Sequence, residues 1–179
     1  MKGLAALLTV ALALPAFGQP AQEVPPRLAM LVLLKVLTYD AGFEARGQGD
    51  FVVTVPFSPG REGAADALLG LLGALEIKTI KQRKLVFQRL PVATTSSCDA
   101  VVVSAALDAD GLRQALERSR AARQYSLALD EAMVREGALL GVASLGGKLQ
   151  PVLNVSMARA TGVEFSASIL KLVRTVQSP

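Results

Sequence analysis

The sequence contains no histidine and no tryptophan, and its one cysteine is Cys98. The missing histidine excludes a Ser-His-Asp or Cys-His catalytic set and removes the commonest transition-metal ligand. A zinc site would have to be assembled from Cys98 and carboxylates, a poor donor set, so no metal or other cofactor is expected. A lone cysteine excludes an internal disulfide, and a chain of 179 residues buries enough surface to do without one. Two tyrosines and six phenylalanines leave little aromatic surface for stacking bases, so no nucleic-acid partner is expected. Charge is sparse as well: 19 Lys and Arg against 15 Asp and Glu give a net +4, too mild to dictate a partner. There is no internal repeat, and no apolar run reaches the roughly 20 residues needed to span a bilayer.

What is present begins with an export signal. Met1 and Lys2 form a charged start, Gly3 to Leu14 an apolar stretch, and Pro15 breaks it. Ala16-Phe17-Gly18 then offers small residues at the two positions a signal peptidase reads, which places cleavage between Gly18 and Gln19. No cysteine lies near that point, so the lipoprotein route is closed. Residues 1–18 are read as a signal peptide, 19–26 as a Pro-rich flexible lead-in, and 27–177 as one domain. The mature chain is expected to be periplasmic or secreted, and not an integral membrane protein.

The domain alternates strands and helices. Arg27 to Leu37 is a mostly apolar helix, and Phe51 to Val55 a β-branched buried strand. Ala64 to Leu75 carries apolar residues at helical spacing. Leu85-Val86-Phe87 and Ala100 to Val103 read as strands. Asp108 to Arg123 is a helix with acids at its start and Arg118, Arg120 and Arg123 at its end. That polarity suits the helix dipole, so those arginines need no binding site to explain them. Leu127 to Leu129 is a short strand, and Asp130 can cap a brief helix. Leu139 to Leu145 and Lys148 to Leu153 are strands joined by Gly146-Gly147, a two-residue hairpin turn. Phe165, Ile169, Leu172 and Val176 fall on one stripe of a closing helix. Together these elements predict a single-domain α/β fold, a mixed β-sheet with helices on both faces.

Several motifs dissolve on inspection. Ser168 to Lys171 matches S-x-x-K, but the companion motifs of β-lactamases are missing. Gly141 and Gly146 have phosphate-loop spacing, yet Gly147 stands where that loop needs Lys. Asn154-Val155-Ser156 fits a glycosylation sequon, but Asn154 at a strand-to-helix corner suits an N-cap better. The one charge cluster runs through Lys78, Lys81, Arg83, Lys84 and Arg89. A solvated edge strand that resists aggregation accounts for it; the sharper alternative is an acidic-partner surface at Lys81, Arg83 and Lys84.

The segment from Leu149 to Val173, LQPVLNVSMARATGVEFSASILKLV, has a specific order: apolar strand, Asn154, the Ala158-Arg159-Ala160 step, Gly162, then an aliphatic stretch beginning near Phe165. It resembles the C-terminal signature of the YfiR/HmsC-like family of bacterial periplasmic proteins. Leu33 to Asp40 resembles the family's opening helix, with Tyr39-Asp40 in place of a frequent aromatic-Trp-Pro ending. Ser97 to Val103 resembles a Cys-containing lead into a central strand. The resemblance implies a compact single domain in which Tyr39, Asp40, Asn154, Arg159 and Gly162 define the fold. It also implies a non-enzymatic regulator that binds an inner-membrane partner, such as a diguanylate cyclase or a sensor kinase, in cyclic-di-GMP control. The alternative is a periplasmic small-molecule binding module with its pocket at the C-terminal ends of the strands.

Overall fold

The computed structural model describes residues 24–94 and 97–177. The signal segment and most of the lead-in lie outside them. The described part opens with α1 (Pro26–Leu37), for which Pro25 takes the N-cap position. Proline suits the first helical turn because its missing N–H would be unpaired there anyway. The helix therefore begins one residue inside the expected lead-in. A 3-10 turn at Phe43–Arg46 leads to β1 (Phe51–Phe57). The elements α2 (Glu62–Gly73), β2 (Thr79–Ile80), β3 (Arg83–Pro91) and β4 (Ala100–Val103) follow. Next come α3 (Ala109–Ala121), β5 (Tyr125–Ala128) and α4 (Glu131–Arg135). The chain closes with β6 (Leu140–Leu145), β7 (Lys148–Asn154), α5 (Val155–Thr161), α6 (Ala167–Leu170) and β8 (Arg174–Val176).

The eight strands among the described residues form one sheet in the order β2-β3-β1-β4-β5-β6-β7-β8. The pairs β3–β1, β1–β4, β4–β5 and β5–β6 are parallel, whereas β2 and β7 join antiparallel. Counted along the chain, the five parallel strands stand in the order 2-1-3-4-5. That is a doubly wound arrangement with its switch point between β1 and β4.

Strand residues alternate between two cores. Phe51, Val53, Val55, Val102, Leu127 and Leu140 pack with α1 and α2 on one face. Val103, Ala128, Ala143 and Val152 pack with residues of α3 and α4 on the other. The predicted α/β sheet with helices on both faces is the observed fold. Gly146 and Gly147 both have positive φ (55° and 77°), the conformation a two-residue hairpin turn requires. Gly141 is needed for close packing: a Cβ there would stand 2.3 Å from Val134 Cγ2 and 2.7 Å from the Asp130 carbonyl.

The C-terminus differs from expectation. The closing helix is only four residues long, and the chain then adds β8 parallel to β7. The stripe predicted through Phe165, Ile169, Leu172 and Val176 therefore breaks: Ile169 is buried, but Leu172 is 66% exposed. Val173, Thr175 and Val176 are β-branched, and the open edge of β7 offers them hydrogen bonds that a helix end does not.

Candidate functional site

Two constructed regions stand at opposite ends of the parallel strands. At the amino end, Asp40 is buried and accepts four hydrogen bonds. Oδ1 takes the N–H groups of Gly42 at 3.1 Å and Glu164 at 3.0 Å. Oδ2 takes Arg46 Nε at 2.9 Å and the Tyr125 hydroxyl at 2.6 Å. Arg46 donates onward to the carbonyls of Arg123 and Thr161, and its guanidinium lies 4.9 Å over the Tyr125 ring. Beneath this clamp the rings of Phe43 and Phe51 stack at 5.4 Å. Burial, then the hydrogen bond and charge of Asp40, push the Tyr125 phenol well up. Each carboxylate oxygen of Asp40 takes two donors and each nitrogen of Arg46 donates once, so the cluster is a structural joint between the end of α1, β5 and the segment after α5.

The other signature residues lie elsewhere at this end of the sheet or on α5. Asn154 is fully buried; its Oδ1 accepts from the Met157 N–H at 3.0 Å and its Nδ2 donates to the Val134 carbonyl at 3.1 Å. Such a side chain is closed to glycosylation. Gly162 ends α5 in the left-handed region (φ 67°, ψ 32°), where a Cβ is disfavoured. Arg159 is exposed in the last turn of α5, and the Tyr39 carbonyl accepts from the Ser166 N–H at 3.2 Å.

The basic run is not one surface. Arg83 turns inward, pairing with Asp99 at 2.7 Å, donating to the Gly49 and Asp50 carbonyls and covering the Phe51 ring. Lys81 sits in a positive-φ turn, its amine 3.7 Å from Glu44. Lys84 faces solvent. Arg83 and Lys84 are flanked by the short β2, which forms the edge beside them, while the rest of β3 has no described strand on that side.

At the carboxyl end the switch point is stapled. The Ser58 hydroxyl donates to Asp108 Oδ1 at 3.0 Å and accepts from the Asp108 N–H at 3.1 Å. Asp108 also caps α3 through the Gly111 N–H at 2.7 Å. That bond first, then the one from Ser58, holds the Asp108 carboxyl below its usual range. Beside the staple, the loops after β4 and β5, strand β6 and one side of α2 enclose a crevice of about 780 Å³. Its walls are apolar, including Leu68, Leu71, Ala106 and Met133, with Ser104, Asp130, Glu131 and Ser144 at the rim. Burial alone would raise the Glu131 carboxyl, but hydrogen bonds from Arg174 and Arg135 outweigh it and leave it lowered. None of these groups forms a nucleophile–base pair. Among the described residues no cluster of His, Cys, Asp and Glu could hold a metal ion, and no helix is long and apolar enough to cross a membrane. Sequence reading missed Ser58 and Asp108 as partners because nothing local links positions 50 residues apart.

The profile of the YfiR/HmsC-like family matches residues 59–174, more than half of the chain. The chain belongs to the YfiR/HmsC-like family. Membership supports a periplasmic, regulatory role in general terms. No curated protein matches this YfiR-like chain. Solved structures share its fold at low identity. A conserved domain protein from Vibrio cholerae O1 biovar El Tor matches with a TM-score of 0.59 and 14% identity, over 86% of this chain and 60% of that one. An ABC domain from Streptococcus pneumonia in complex with L-Trp gives 0.53 and 12%, over 85% and 60%. CD0873 from Clostridium difficile, a substrate binding protein with adhesive properties, gives 0.55 and 12%, over 83% and 59%. The YfiR-like chain thus spans about 60% of the length of these neighbours.

Proposed function

We propose that this chain is an exported, non-enzymatic regulator that binds an inner-membrane signalling partner, a diguanylate cyclase or a sensor kinase, and so couples periplasmic conditions to cyclic-di-GMP levels. The family match over residues 59–174 carries this reading. The absence of histidine and of a nucleophile–base pair in the crevice supports binding over catalysis. Lys81 and Lys84, both exposed, are proposed to meet an acidic patch on the partner.

Deleting the gene should raise cellular cyclic-di-GMP, measured by mass spectrometry of extracts. The intact gene should restore the level, and the recovered protein should begin at Gln19. A version lacking residues 1–18 should fail to restore it, because it never meets the partner's periplasmic side. Unchanged cyclic-di-GMP in the deletion strain refutes the proposal.

A second reading has its own support. The crevice at the carboxyl ends of the strands is where doubly wound sheets hold ligands. Two structural neighbours are described as an L-Trp complex and a substrate binding protein. A small molecule that raises the melting temperature, with cyclic-di-GMP unmoved by deletion, would select this reading.

A further inference from the structure

A second cleft, on the opposite face of the sheet from α1 and α2, belongs to neither reading above. On that face α3 lies over β4 and β5, and α4 over β6 and β7. Among the described residues no helix covers β1 and β3 there. The uncovered strands and the flank of α3 enclose about 390 Å³. Pro56 and Leu90 form one wall, Val101 the floor, and Ala115 and Ala122 the helix side. Thr54 and Cys98 lie within it.

Among the described residues Arg118 is the only charged one lining the cleft. Its place in the last turn of α3 suits the helix dipole, but the dipole does not explain its direction. The side chain reaches across to β3 and the loop after it, where Nη1 donates to the Val92 carbonyl and, at 3.4 Å, to the Thr94 carbonyl. Those two carbonyls hold the guanidinium at the rim without neutralising it. Arg118 pairs with no carboxylate among the described residues, and its Nε and Nη2 donate to none of them. The result is an anchored, half-buried cation with free donors beside an apolar slot.

We propose that this cleft binds a small amphipathic carboxylate, its apolar body on Pro56, Leu90 and Val101 and its carboxylate on the free N–H groups of Arg118. A guanidinium is suited to this because its planar fork matches two carboxylate oxygens. The size of the cleft is that of a small-molecule site. The inference does not depend on the signalling reading.

The only cysteine in the chain lines the cleft, so it reports occupancy of this site alone. The test follows alkylation of Cys98 by iodoacetamide, a neutral reagent, in the purified exported protein. Octanoate is the probe; octylamine and octanol are its controls. Octanoate should protect Cys98 saturably, octanol at least tenfold more weakly, and octylamine not at all. Arg118→Gln should weaken octanoate protection about tenfold or more, the worth of a charge-assisted hydrogen bond. Ala122→Leu, at an exposed position on the mouth, should weaken it without lowering the melting temperature. The proposal is overturned by absence of saturable protection, by equal protection from octylamine, or by an Arg118→Gln protein that is protected as well as the parent.

Discussion

Replacing Asp40 by alanine should cost about 3–5 kcal/mol of folding stability. The carboxylate is 1% exposed and accepts from Gly42, Glu164, Arg46 and Tyr125. Alanine leaves two backbone N–H groups, a phenol and part of a guanidinium without acceptors in a space closed to bulk water. Removing one partner of a buried ion pair is worth about 3–5 kcal/mol in comparable sites, against a total stability of roughly 5–15 kcal/mol for a domain. Two controls grade the effect. Asp40→Asn keeps one acceptor oxygen for the Gly42 and Glu164 N–H groups but turns an amide toward Arg46, and should cost about 2–3 kcal/mol. Tyr125→Phe removes one charge-assisted bond and leaves Asp40 three partners, so about 1.5 kcal/mol is expected. Urea unfolding followed by circular dichroism measures all three. The reasoning is refuted if Asp40→Ala costs less than about 1 kcal/mol, or if Asp40→Ala and Asp40→Asn are equal.

Alkali and the last helix give two further predictions. The Tyr125 phenol stays protonated in the fold at pH values where the unfolded phenol ionises, near pH 10. Above that point the unfolded state binds fewer protons, so stability should fall by about 1.4 kcal/mol per pH unit, a decline that Tyr125→Phe should abolish. Ile169→Ala should cost about 2–5 kcal/mol, because that side chain is 6% exposed in the main core, whereas Leu172→Ala, at 66% exposure, should shift the urea midpoint hardly at all.

The sequence is readable where local chemistry decides the outcome. Asn154 and Gly162 could be recognised from the preferences of a helix start and a left-handed stop, and Gly146-Gly147 from the demands of a two-residue turn. Alternating strands and helices implied a mostly parallel sheet for the same reason, since each signal lies within a few residues. Reading failed where distant segments compete. Residues 171–176 carry both a helical stripe and β-branched content, and the free edge of β7 decides between them. Arg83 looked like part of a solvated run because Asp99 and the Phe51 ring, which draw it inward, are distant in sequence. The cleft beside Arg118 was hidden for a related reason. That no described helix lies over β1 and β3 is a property of the assembled sheet, and no single segment carries it.

The bond from the Glu164 N–H to Asp40 closes a loop of 124 residues. Bringing such distant points together costs on the order of 4 kcal/mol in chain entropy, a cost that grows slowly with length. Synthesis releases Asp40 early and Glu164 among the last residues of the domain. Until the end of the chain is free, Arg46, Tyr125 and Asp40 can meet, but the Oδ1 side of the carboxylate lacks one of its two donors. A chain truncated before residue 164 would leave Asp40 Oδ1 with the Gly42 N–H alone and the end of α1 unfastened from the closing segment.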